Sequence, residues 1–200
     1  MTVGVATRQP PATYADLEAV PPHLVAEILY GALVTHPRPV PRHGSATSAT
    51  SGIVSGPYQF GTNGPGGWVF IVEPELHLGP HVVVPDIAGW KRERLPAAAV
   101  SKAFIEVAPD WALETLSPST EKYDRGDKRR IYAEFGVRHL WHLDPRVRCL
   151  EAFSLASDHW QLDGTWFDAD DVCAEPFAQI SFSLGLLWPF DPLPETDQKS

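Results

Sequence analysis

Cysteine is scarce in this chain. Cys149 and Cys173 are its two thiols in 200 residues, and neither sits in the Cys-x-x-Cys spacing of a zinc or redox site. Both read as small buried apolar residues. Long apolar runs are missing too, since none approaches the roughly eighteen residues that a membrane span needs. The chain does not start with a basic stretch leading into an apolar one, so no secretory signal is expected and the expected location is cytoplasmic. There is no Gly-x-Ser-x-Gly elbow and no phosphate-binding glycine loop, which argues against serine-hydrolase and P-loop chemistry. No internal repeat or coiled-coil heptad occurs.

An excess of positive charge is also lacking. The formal net charge is -9, which at first sight disfavours nucleic acid, a partner bound largely through phosphate neutralisation. The distribution changes that reading. Residues 1–148 hold fifteen basic and fifteen acidic side chains, whereas 149–200 hold Lys199 against ten acids. Lys91-Arg92-Glu93-Arg94 and the Lys122–Arg148 stretch are locally basic, so phosphate contact is permitted while tight non-specific binding is not expected.

What is present is a globular composition, 44% hydrophobic with seven tryptophans. A chain of this length suits one domain that buries roughly two-thirds or more of its unfolded surface. We place that domain at 13–190, after a flexible leader (1–12) and before a flexible tail (191–200). Thr13 caps a short helix that stops before Pro21-Pro22. Leu24 to Leu29 and Ala32 to Thr35 read as a hairpin turning at Tyr30-Gly31. The Gly/Ser/Thr/Ala segment 44–56 encodes a helix poorly, and a short or irregular one is expected. Trp68 to Leu78 is strand material broken at Pro74, and Phe104 to Val107 reads as the start of a strand or an edge element. Val137 to Asp144 pairs with Cys149 to Leu155. Asp163-Gly164 reads as a further hairpin turn, and Phe182 to Trp188 as an apolar element docked on the sheet.

The most informative run is Trp111-Ala112-Leu113-Glu114-Thr115-Leu116, apolar but for one acid and followed by Ser-Pro-Ser-Thr. It reads as a buried strand. A carboxylate buried there costs several kcal/mol unless it is compensated. Upstream, His81 to Ala88 is another apolar run with a single acid, Asp86. Downstream, a helix starting near Thr120 or Asp124 and ending at Gly136 puts Asp124, Lys128, Ile131, Tyr132 and Phe135 on one face. Lys128 is therefore a natural counter-charge for Glu114. Two strand acids and a lysine form a divalent-metal and phosphate constellation.

Val84-Pro85-Asp86, then Pro109 to Thr120, then Asp124…Lys128…Tyr132, then Phe135 to Pro145 together resemble the bacterial putative restriction endonuclease family of the PD-(D/E)XK nuclease superfamily. The ordered match covers about sixty residues. The resemblance implies an α+β fold, restriction-endonuclease-like, with a central mixed sheet flanked by helices and extra hairpins. It also implies an endonuclease hydrolysing DNA phosphodiester bonds with Mg²⁺ or Mn²⁺. Asp86 and Glu114 would be metal ligands and, with Lys128, the catalytic residues. Glu27 matches a glutamate-bearing strand and His43 a helix-opening histidine of the family. With Asp124 and Tyr132, the latter packing against the lysine stem, they are additional site candidates.

Strand geometry chooses between the two proline-preceded acids. Asp110 and Glu114 share a face, but four residues at about 3.3 Å each separate them by roughly 13 Å, too far for one ion. Asp86 on a neighbouring strand is within reach, and Asp110 is left to serve the preceding loop. The superfamily's usual lysine, two residues after the acid, is Leu116 here, so Lys128 must replace it. His139 and His142 lie on a strand with odd spacing and point to opposite faces, which rules against a shared zinc. A second reading, a nuclease-like scaffold without turnover that serves as a binding module, draws on Leu116 and the acidic C-terminal third. Exposed sheet edges and many aromatics suggest a homodimer.

Overall fold

A computed structural model of the chain describes residues 10–190. Residues 1–9 of the expected leader and all of the expected tail lie outside them. Ala12 N–H donates to Gly31 O at 2.8 Å, tying the segment before the first helix to the first hairpin. Helix α1 (Tyr14–Glu18) carries the expected cap, with Thr13 and Asp16 closing a reciprocal capping box.

Strands β1 (Leu24–Leu29) and β2 (Ala32–Pro37) form the first hairpin, paired Leu29 to Ala32 through Leu24 to Pro37. Its turn residues Tyr30 and Gly31 both have positive φ, 49° and 79°, which is the primed turn that matches strand twist. Helix α2 (Pro41–Val54) comes next and runs into a π-helical stretch at Ser55–Gln59. It is a full 14-residue helix, longer than propensity alone implies. Packing supplies what composition does not: Ala46, Thr47, Thr50 and Val54 are buried, and the Thr47 and Thr50 hydroxyls satisfy themselves on His43 O and Ala46 O.

The next strands divide between two sheets. β3 (Trp68–Val72) and β6 (Ile87–Lys91) join the large sheet, while β4 (Leu76–Leu78) and β5 (His81–Val83) join the small one. The single strand expected over His81 to Ala88 is thus two strands separated by Pro85, with Asp86 at the crossing. Phe104 to Val107 forms no strand, only an isolated bridge from Ile105 to Leu76. Then come β7 (Trp111–Thr115), β8 (His139–Asp144), β9 (Cys149–Ala156) and β10 (His159–Phe167). The small pair β11 (Asp171–Val172) and β12 (Phe182–Ser183) precedes a 3₁₀ turn at Leu184–Leu187, and Leu184, Leu187 and Trp188 are buried in the core as expected.

The large sheet has the order β10-β9-β8-β7-β6-β3 and the small one β2-β1-β5-β4. β7 and β8 are parallel and their other neighbours antiparallel, so the sheet is mixed and the architecture is α+β. Between β7 and β8 runs a helical segment: α3 (Glu121–Tyr123), a π turn (Asp124–Lys128) and α4 (Arg129–Glu134). The expected helix is there, but with a wide turn inside it. One correction concerns Asp163-Gly164. It is a bulge within β10, where the register slips between Leu162 and Gly164, and the hairpin instead turns next to Ser157, which has φ 60°. Cys149 is buried, but Cys173 is exposed, so the expectation of two buried thiols holds for the first alone.

All five residues of β7 are buried because both faces of the strand are covered. On one side Trp111 and Leu113 pack with Trp141, Phe177 and residues of α2. On the other, Ala112 packs with Ala88, Leu140, Ile131 and Tyr132. Glu114 belongs by parity to this second side, beneath the 121–134 segment.

Candidate active site

Glu114 is 2% exposed. Its Oε2 lies 2.8 Å from Lys128 Nζ, and its Oε1 accepts a hydrogen bond from the Tyr132 hydroxyl at 2.5 Å. Tyr132 thus bonds the acid itself, a contact that the sequence does not announce. Asp124, four residues before Lys128 on the π turn, is buried with Oδ1 3.3 Å from the same ammonium. Glu27 on β1 supplies a third carboxylate, Oε1 at 3.3 Å, and the same oxygen accepts a hydrogen bond from Val84 N–H at 2.8 Å. Glu27 is buried in an inner strand of the small sheet and is not a water-facing edge residue. Val84 O is the fourth acceptor around Lys128, at 3.1 Å.

Asp86 is placed by the pairing of β6 with β7. Ile87 opposes Leu113, so the next step places Asp86 opposite Glu114, and Thr115 N–H donates to Asp86 Oδ2 at 2.7 Å. His43, on the first turn of α2, brings Nε2 to 3.4 Å from Asp86 Oδ1. It is held there by the packing of α2 on β7, where Thr47 and Thr115 join hydroxyls at 2.9 Å. All seven residues singled out from sequence therefore surround one region. Asp110 stands apart, buried and held by Lys91 N–H and Arg94, which is the loop-anchoring role expected of it.

The electrostatics arise from three buried acids sharing one buried ammonium. Lys128 is held well above its ordinary pKa: burial opposes its charge, but Glu114 and Glu27 outweigh it. Glu114 is pushed well up by burial, and Asp124, Asp86 and Glu27 add to this against the pull of Lys128. Burial likewise raises Asp124. Glu27 goes the other way, since Lys128, His36 and Val84 N–H overcome its burial. The site holds more negative charge than one lysine neutralises.

A cleft of about 290 Å³ opens onto this cluster, with Glu114, Asp86, Asp124, Lys128 and His43 in its walls. Residues the sequence reading passed over also line it, among them His36, Arg38, Glu73 and Glu75. His36 was within reach of sequence reasoning. A two-residue turn at Tyr30-Gly31 fixes the register that sets Glu27 opposite Val34, and His36, two residues on, shares that face. The ring sits 3.7 Å from Glu27.

This fold is that of a nuclease-like α+β domain. The chain is similar to the crystal structure of a putative nuclease belonging to DUF820 from Anabaena variabilis ATCC 29413, with a TM-score of 0.70 and 20% identity, covering 89% of this chain and 98% of that one. It belongs to the Uma2 family, described as putative restriction endonucleases, whose sequence pattern matches residues 11–186. No curated protein matches it. Among the described residues no helix is long and apolar enough to cross a membrane.

Proposed function

We propose that the protein is a Mg²⁺- or Mn²⁺-dependent endonuclease that hydrolyses DNA phosphodiester bonds, with the PD-(D/E)XK lysine carried by the helix after the acid strand instead of by that strand. The observation that carries this reading is the buried Lys128 ammonium within 3.3 Å of Glu114, Glu27 and Asp124, with Asp86 facing Glu114 across the strand pair.

The donor set suits a divalent cation. Asp86 and Glu114 are hard oxygen ligands in a pocket of uncompensated negative charge, and they are the residues that would hold Mg²⁺. Among the described residues no group of three or more His, Cys, Asp or Glu is placed to hold a metal ion, so the protein would offer the two carboxylates alone, and water and substrate oxygens would have to supply the remaining ligands, as Mg²⁺ tolerates. When bound, the ion supplies a water of lowered pKa and offsets charge on the phosphoryl oxygens. Thr115 N–H and His43 aim the Asp86 carboxylate, while Lys128 and Tyr132 fix Glu114. Lys128 has three N–H bonds and four acceptors around it, so it acts by holding the carboxylates in place. A cytoplasmic location suits a DNA substrate.

One observation favours the alternative of an inactive nuclease-like scaffold that serves as a binding module: both oxygens of Glu114 are already engaged, by Lys128 and Tyr132. Incubation of the protein with supercoiled plasmid and with linear duplex, with and without Mg²⁺ or Mn²⁺, decides between them. The nuclease reading expects metal-dependent cleavage that falls at least a hundredfold in Asp86→Ala and Glu114→Ala, the scale at which a positioned catalytic group matters. Absence of cleavage at any protein concentration leaves the scaffold.

A further inference from the structure

Lys128, the one lysine among the described residues of the cleft, has no donor left for a phosphate, because Glu114, Val84 O, Glu27 and Asp124 surround its three N–H bonds. An entering phosphodiester anion also meets the carboxylates of Glu73, Glu75, Asp86, Glu114 and Asp124 along the walls. Beyond a metal ion on Asp86 and Glu114, a protein cation is needed to hold a second phosphate contact. Arg38 lines the same cleft and is exposed. Its guanidinium makes one hydrogen bond, Nη2 to Pro22 O at 3.1 Å, and has no carboxylate partner among the described residues. Most of its five N–H donors therefore remain uncommitted.

The backbone that carries Arg38 is stiff. Pro37 and Pro39 flank it, fixing φ on both sides and restricting the residues before them, and the Pro22 O bond anchors one arm. Arg38 thus presents a fork of matched geometry for a phosphate with little ordering left to lose. His36, on the other side of Pro37 and in the same cleft, is raised in pKa by its contact with Glu27, which favours its cationic form on that wall.

We propose that Arg38 is the substrate-phosphate clamp of the cleft, taking a backbone phosphate of the nucleic acid while Lys128 keeps the carboxylates in place. This rests on the nuclease reading and assigns it a binding residue. Arg38 carries out ground-state binding, so its loss raises KM and leaves kcat nearly unchanged.

Steady-state cleavage of a labelled duplex with Mg²⁺, and its binding by fluorescence anisotropy with Ca²⁺ replacing Mg²⁺, are measured over a salt series. The proteins compared are the wild type, Arg38→Gln, Arg38→Lys and Arg130→Gln. Arg130 is highly exposed on α4 and lies outside the cleft, so it controls for bulk charge. Arg38→Gln is expected to raise Kd and KM about tenfold or more, the worth of one charge-assisted hydrogen bond, and to lower the salt slope by about 1. Arg38→Lys is expected to recover part of the affinity, and Arg130→Gln to change little. If the wild type cleaves and Arg38→Gln keeps its KM and salt slope, or if Arg130→Gln matches Arg38→Gln, the clamp is overturned and the nuclease reading stands. If the wild type binds but never cleaves, the nuclease reading falls and the Kd comparison alone judges Arg38. If the wild type neither binds nor cleaves, both are overturned.

Discussion

His142 lies one strand over from Glu114, paired with it in the β7–β8 register, and is 1% exposed with neither ring nitrogen hydrogen-bonded. Burial, and then the charges of Arg125, Arg129 and Lys128, push its pKa down to about 3. Linkage gives the sign of the consequence. The folded pKa lies below the ordinary 6.5, so the unfolded chain binds the proton more readily. Stability is fully present above about pH 6.5 and drains away as the pH falls toward 3, roughly 2 kcal/mol of it by pH 5. His142→Leu keeps the apolar contact with Phe153, whose ring lies 5.3 Å from the imidazole, and removes the titration. Urea unfolding at pH 7 and pH 5 should show the variant losing about 2 kcal/mol less than the wild type over that interval. Equal losses would mean that His142 is already solvated or protonated in the fold. The sequence put His142 and His139 on opposite faces, which the structure bears out. It could not show that His142 lacks partners, because that depends on what the 121–134 segment lays over it.

At the level of elements, the short-range signals were readable and those set by packing were not. β7 was legible because five buried residues in a row make an apolar run whose single exception stands out. The Tyr30-Gly31 turn and the Asp124–Lys128–Tyr132 face were legible from local chemistry, although the π turn that aims Asp124 and Lys128 inward left no mark in the sequence. α2 was not legible, since its Gly and Ser residues disfavour a helix that burial against β7 then stabilises. Asp163-Gly164 has the composition of a turn but sits inside β10, where pairing with β9 continues on both sides and overrides it. Gly89 is another case, a position to which the sequence attaches no signal. It pairs with Phe70 across β3 and β6, and an added Cβ would meet Phe70 Cε1 at 2.8 Å and Trp111 Cε3 at 3.1 Å. The ring of Phe70 occupies the space that the missing side chain leaves. Gly89→Ala should cost about 1–3 kcal/mol through overpacking. Phe70→Leu in the same chain should recover part of that, so the double variant is less destabilised than the two singles added together. Strict additivity in chemical denaturation would show that the close approach is not what constrains residue 89.

Across the described residues, the C-terminal acids and the cleft lie at different places. Of the ten acids of 149–200, seven fall among the described residues: Glu151 on β9, Asp158 in the turn after it, Asp163 on β10, and Asp168, Asp170, Asp171 and Glu175 beyond β10, while Glu114 sits on β7 and Asp86 beside β6, further along the same sheet. A net charge of -9 is therefore compatible with local phosphate binding. The sheet edges, which led us to expect a homodimer, are partly blunted. Gln59 accepts the outward Phe70 N–H of β3 at 2.8 Å, and β10 is bulged. The cleft also joins the two sheets: Glu27 comes from the small one, Glu114 from the large one, Asp86 and Val84 from the crossing between them, and Lys128 is bonded to both. A cation that neutralises Asp86 and Glu114 should thus stabilise more than its immediate ligands. At a hundred times its Kd the gain is about 2.7 kcal/mol. Hydrogen exchange should then slow at the Thr115 amide, which donates to Asp86, and also at the Val84 amide, which donates to Glu27 and touches no proposed ligand. Both effects should vanish in Asp86→Ala. Mg²⁺-dependent protection at Thr115 without any at Val84 would mean that the ion acts on the large sheet alone, and that Lys128 does not tie Glu27 to the chemistry.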